Sequence, residues 1–246
     1  MAVVVGARKR ELPQVNMARD VEPLVVDASG RDLRSVSTEL KLVSGNGPVV
    51  LSGAQGLHGL AAGLRCGDVT IEGDSGDYLA VLNAGATVRV LGNAGQYLAD
   101  NMTAGAVVVS GDAGYGAGQY CYGGRIVIHG NAGGFAAVMN KGATIIIGGN
   151  VGDDAATYML AGDLVIVGDA GKNLGNYLIR GNIYIGGRWQ GLGHNTRQVE
   201  PTEADRAKLR GYLDSYGITA DPEGFKKIIC LSEKPFYQAK QPVQAR

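Results

Sequence analysis

Glycine recurs at a fixed step of 19 residues, at Gly73, Gly92, Gly111, Gly130, Gly149, Gly168 and Gly187. A companion glycine keeps the same step at Gly76, Gly95, Gly114, Gly133, Gly152 and Gly171, so six successive units share a G-[DN]-x-G turn. A sustained period of this length restricts the chain to repeat architectures, in which one small unit is stacked many times. Two residues apart, just before each turn, stand Val69 and Ile71, Val88 and Val90, Val107 and Val109, Ile126 and Ile128, Ile145 and Ile147, Leu164 and Ile166, and Ile183 and Ile185. Of these 14 aliphatic residues 13 are β-branched, and the spacing of two puts both of each pair on one face of a strand. Further glycines at Gly67, Gly85, Gly105, Gly123, Gly124, Gly142, Gly162 and Gly181 precede the strands and mark a second bend per unit.

Nineteen residues are too few for a strand, a helix and two turns, but they suit one coil of a parallel β-helix. Like strands then stack ~4.8 Å apart and the aliphatic pairs become two inward ladders. Burial of each such side chain contributes roughly 1.5–3 kcal/mol, and no coil can bury its own ladder alone. The expected fold is a mainly β, single-stranded right-handed parallel β-helix of seven to eight coils with short capping helices. Its expected parts are an N-terminal extension and capping helix over 1–47, the β-helix over 48–190, and a C-terminal helix and extended tail over 191–246. Val49, Leu51, Gly53 and Gly56 supply an imperfect first coil. Leu33, Val36 and Leu40 are spaced as on a helix, whereas residues 1–26 read as irregular, free to run along a partner. Thr202 is placed to cap a second helix bearing Leu209, Tyr212, Leu213 and Tyr216, stopped at Gly217. Phe225 to Tyr237 reads as an apolar extended tail.

Composition excludes several functions. Lys+Arg and Asp+Glu balance at 23 each, which leaves no electrostatic footprint for nucleic acid or an anionic membrane surface. Cys66, Cys121 and Cys230 are far apart and read as free thiols of a cytoplasmic protein. The short apolar start has no basic residues ahead of it, the reverse of a secretory signal.

The glycine-rich stretch invites a nucleotide site. Gly114, Gly116 and Gly118 follow a strand, but the dinucleotide fingerprint also requires a following helix, and no helical pattern follows. The Asp/Asn slot of the turns (Asp74, Asn93, Asp112, Asn131, Asn150, Asp169) never places two aspartates together, which points to turn-capping side chains and not a cation column. His58, His129 and His194 are scattered and lack metal-ligand spacing. No catalytic, cofactor or metal residue is assigned. The outward slot between the ladder residues is aliphatic at Val108, Val127, Ile146 and Val165. Such a strip needs a cover, either the chain's own tail or a partner surface. It is unlike the polar groove of a stand-alone β-helix enzyme acting on saccharide or acyl substrates.

The repeat GDAGYGAGQYCYGGRIVIHGNAGG at 111–134, with GNAG and LADNMTAGAVVVSGDAG before it, resembles the GXGXG family. That family forms the C-terminal β-helix of the large glutamate synthase chain and recurs as separate subunits of related complexes. DLRSVSTELK at 32–41, EADRAKLRGYLDSYGI at 203–218 and FKKIICLSEKPFY at 225–237 look like the flanks of the glutamate synthase branch. The resemblance implies a non-catalytic scaffold subunit of a glutamate-synthase-like hetero-oligomer, with N-methylglutamate synthase the best match. An alternative is the C subunit of a formylmethanofuran dehydrogenase. The family's N-terminal amidotransferase cysteine is matched here by Ala2. Catalysis, FMN and an iron–sulfur cluster are therefore expected on an amidotransferase-like subunit and an FMN-dependent synthase subunit, with no cofactor on this chain.

Overall fold

A computed structural model describes residues 22–235. Eleven strands form one sheet. The chain runs through β1 (Leu24–Asp27), α1 (Leu33–Val43), β2 (Pro48–Ser52), β3 (Asp68–Ile71), β4 (Ala84–Val90), β5 (Ala104–Val109), β6 (Arg125–Ile128), β7 (Lys141–Ile147), β8 (Ala161–Ile166) and β9 (Asn182–Ile185). It closes with β10 (Thr196–Val199), α2 (Glu203–Ser215), a 3-10 turn at Pro222–Gly224, and β11 (Lys226–Cys230). Strands β1 to β9 pair in parallel and in sequence order, which makes the molecule a parallel β-solenoid. Register follows the period: Val69 pairs with Val88, Val107 with Ile126, and Ile145 with Leu164. All 14 ladder residues are fully buried.

The ends are closed differently. At the first coil α1 buries Val36 and Leu40 against the core. The expectation of an irregular segment up to residue 26 is corrected at its end, because Leu24–Asp27 forms β1 parallel to β2. The remainder of that expectation, residues 1–21, lies outside the described residues, as do residues 236–246. At the last coil the direction reverses: β11 pairs antiparallel with β9, and β10 antiparallel with β11. Thr202 caps α2 in a reciprocal box, its hydroxyl accepting from the Asp205 N–H while Asp205 accepts from the Thr202 N–H.

The leading turn glycines are needed for tightness more than for left-handed backbone. Gly73 has φ +79°, but Gly92, Gly111, Gly130, Gly149, Gly168 and Gly187 do not lie in the left-handed region. They are glycines because of close approach. A Cβ on Gly149 would lie 2.5 Å from Asn131 Oδ1 and 2.8 Å from Gly130 O of the preceding coil. That oxygen is occupied: Asn131 Oδ1 accepts the Asn150 N–H at 2.8 Å. The same bond links Asp74 to Asn93, Asn93 to Asp112, Asp112 to Asn131, Asn150 to Asp169 and Asp169 to Arg188. The Asp/Asn slot is thus a continuous hydrogen-bonded ladder along the turn.

Left-handed backbone gathers elsewhere, on the segment that follows the turn. Every second residue there has positive φ, as at Tyr78, Ala80 and Leu82, at Tyr97, Ala99 and Asn101, and at Phe135, Ala137 and Met139. A left-handed conformation costs a non-glycine residue roughly 1–2 kcal/mol. It persists because each such N–H is bonded between coils: Tyr97 donates to Tyr115 O at 2.8 Å and Asn101 to Gln119 O at 2.9 Å, while Ala99 donates back to Leu79 O at 2.8 Å.

Candidate functional site

The four strip residues meet α2. Val127, Ile146 and Val165 are fully buried and Val108 nearly so, in a second core cluster with Tyr184, Leu209, Leu213 and Phe225. The partner-surface reading of Val108, Val127, Ile146 and Val165 is therefore corrected, since the chain's own C-terminal helix covers them. The helix lies along the stack. Near its start Asp205 accepts from Tyr184 of β9 at 2.6 Å. Further on, Lys208 and Tyr212 donate to Asp163 of β8 at 2.9 and 3.0 Å. At its end the Arg125 guanidinium of β6 lies over the rings of Tyr212 and Tyr216 at 5.5 and 5.7 Å.

Asp205 is the buried anchor of this contact. Burial alone would raise its pKa, but hydrogen bonds from Tyr184, Lys227 and Thr202 outweigh it and hold the carboxyl well below the usual carboxylate range. Lys227 Nζ sits 2.9 and 3.0 Å from its two oxygens. Burial pushes the Tyr184 phenol above its ordinary range, and the bond to Asp205 adds to that.

Other singled-out residues take structural positions. Gly116 and Gly118 adopt φ +75° and +69° on the left-handed segment, and a Cβ on Gly118 would lie 2.6 Å from Ile145 Cδ1. They fill places held in the next coil by Phe135 and Ala137, and they do not open a helix. His58 Nδ1 accepts the Asp77 N–H at 2.9 Å. His194 packs 5.4 Å from the Tyr177 ring. All three cysteines are free. Burial pushes the Cys121 thiol up to about 12, so it is a packing residue in a buried column with Met102 and Asn140. Among the described residues no three His, Cys, Asp or Glu side chains gather as a metal site.

Two features remain available for interaction. On the left-handed segment Tyr78, Tyr97, Tyr115 and Phe135 form a ring column with successive centroids 4.8, 5.8 and 5.0 Å apart. Tyr78, Leu82 and Tyr115 of this side are exposed, as is Tyr122 at the corner before β6. Because Tyr78 and Tyr97 lie face to face, the column presents ring edges more than the open platform a sugar stacks upon.

The second feature is a cavity of about 610 Å³ lined by Lys141, Leu160, Ala161, Gly162, Asp163, Arg180, Gly181, Asn182 and Lys208. It lies where the corners before β7, β8 and β9 meet α2. Sequence reading missed it because its cations come from separate coils and from the helix. A signal was present: Lys141 and Arg180 each immediately precede a corner glycine, where other coils carry Ala84, Ala104 or Ala161. No helix among the described residues is long and apolar enough to cross a membrane. No family model matches the chain, and no curated protein matches it.

Proposed function

We propose that this chain is a non-catalytic scaffold subunit of a cytoplasmic, multi-subunit glutamate-synthase-like enzyme, with N-methylglutamate synthase as the best-fitting member. The reading joins the resemblance of the repeat to the GXGXG family with the surface the solenoid presents. The observation that carries it is the ring column Tyr78, Tyr97, Tyr115 and Phe135, exposed at Tyr78 and Tyr115 and set on a backbone bonded to the coils on either side. Tyrosine is over-represented in protein interfaces because it buries a large, stiff side chain and still offers a hydroxyl. A rigid row of them suits a docking face better than a reaction site. The amidotransferase-like and FMN-dependent synthase subunits are the partners inferred, and FMN and an iron–sulfur cluster belong to the latter.

The test is purification of the tagged full-length chain from its native cells, with mass spectrometry and flavin absorbance on the product. A flavin-bearing hetero-oligomer is expected, and the double substitution Tyr78→Asp, Tyr115→Asp is expected to release the partners while the chain stays folded. Isolation of the chain alone, or turnover of glutamine or an amine by the chain without partners, refutes the proposal.

A further inference from the structure

We propose that the cavity between α2 and the corners of β7, β8 and β9 binds a small dianion, a dicarboxylate or a phosphate compound. Lys141, Arg180 and Lys208 all line it, against the single carboxylate of Asp163. That carboxylate is already engaged by Lys208 at 2.9 Å, Tyr212 at 3.0 Å and Asn182 at 2.9 Å. The lining thus keeps two positive charges in excess, on a chain whose formal net charge is zero. General basicity does not explain this concentration.

The two surplus cations are poorly neutralised. Among the described residues Lys141 has no carboxylate within ion-pair distance. Its Nζ donates to the Tyr122 hydroxyl at 2.8 Å and lies 4.1 Å from that ring's centroid, so the phenol holds the ammonium without cancelling its charge. Arg180 reaches Glu233 only at 3.8 Å, with both side chains more than half exposed, a contact of little strength in water.

Spacing selects the ligand class. Lys141 pairs in register with Ala161, and Arg180 stands one coil beyond. Their backbone positions are therefore two coils apart, roughly 9.6 Å along the stack, and the coil between them contributes only the uncharged Leu160, Ala161 and Gly162 before the already engaged Asp163. A dicarboxylate can place one carboxylate toward each, and a phosphate can share its oxygens between Arg180 and Lys208. A monoanion can satisfy one end only. Because Lys208 belongs to α2, an occupied cavity also ties the helix to the coils it covers.

The full chain, labelled with ¹⁵N, is titrated with succinate, inorganic phosphate and acetate at constant ionic strength, following the amides of Gly142, Gly162 and Gly181. Saturable shifts are expected with succinate, phosphate or both, and the tighter of the two identifies the dianion chemistry. Acetate is expected to bind at least about tenfold more weakly. Lys141→Met and Arg180→Met should each weaken dianion binding by about tenfold, whereas Arg188→Met, outside the cavity, should not change it. Unchanged amides in the distant turns report that each variant is folded, and Lys141→Gln serves where the methionine variant is not. The proposal is overturned if neither dianion gives saturable shifts, if acetate binds equally well, or if Lys141→Met and Arg180→Met both keep wild-type affinity. These outcomes do not depend on the scaffold reading, which is judged by partner retention.

Discussion

Replacing Gly149 by alanine tests whether the turn glycines exist for closeness and not for backbone conformation. Gly149 does not lie in the left-handed region, so alanine can adopt its backbone without strain. The added Cβ would stand 2.5 Å from Asn131 Oδ1, 2.8 Å from Gly130 O and 2.9 Å from Gly130 C. Relief requires Asn131 to give up the Asn150 N–H and the two coils to part locally. The lost hydrogen bond is worth about 1 kcal/mol, and separating close-packed backbone adds roughly 1–3 kcal/mol. The expected destabilisation is about 2–4 kcal/mol, or a fall in Tm of roughly 4–16 °C for a chain of this size.

Two companions make the result diagnostic. In an Asn131→Ala background the nearest clash and the bond are both gone, so Gly149→Ala should cost about 1 kcal/mol less than in the wild type. Gly63→Ala is the contrast. That glycine has φ +65° with nothing within 4 Å of its would-be Cβ, so alanine there should cost only about 1 kcal/mol. Thermal and urea unfolding of the four variants would settle it. A loss at Gly149 no larger than at Gly63, or no coupling to Asn131, would falsify the close-approach account.

Val127→Asp buries an unpaired charge beneath α2, and hydrogen exchange should accelerate across Glu203–Ser215 as the helix loses its seat. For Asp205, the native carboxyl is held below its ordinary value of 3.8. Its contribution is therefore complete above that value and is lost as the pH falls toward the folded pKa. Urea unfolding between about pH 5 and 2.5 should show wild-type stability falling more steeply than that of Asp205→Asn, and parallel slopes would contradict it. Thiol labelling near pH 8 should modify exposed Cys66 first and spare Cys121 until the protein unfolds, given the Cys121 pKa of about 12.

The solenoid was legible in the sequence because a parallel stack imposes the same demand on every coil at the same offset. Val88 and Val90, or Ile145 and Ile147, can be recognised without knowing what they touch. The left-handed segment was not legible. Tyr78, Ala80 and Leu82 have no intrinsic preference for positive φ, and their conformation comes from hydrogen bonds to neighbouring coils. Strand β1 escaped notice because only four residues carry it, with no glycine period to mark them. The strip and the α2 stripe were both visible, but Val165 and Leu209 are distant in sequence, and nothing local says that one seats the other. The cavity needed still more, since Lys141, Asp163, Arg180 and Lys208 meet only after three coils and the helix have docked.

Because α2 runs along the stack, its length and the number of coils are not independent. Thirteen helical residues extend about 20 Å, and the four steps from Val108 to Tyr184 amount to about 19 Å. The helix is a gauge cut to the row it covers. A relative that gained or lost one inner coil would need α2 longer or shorter by about three residues, nearly one turn. Otherwise it would leave a valine bare at one end or a helical turn unsupported at the other. Coil count in this architecture is thus set by a segment that lies outside the repeat.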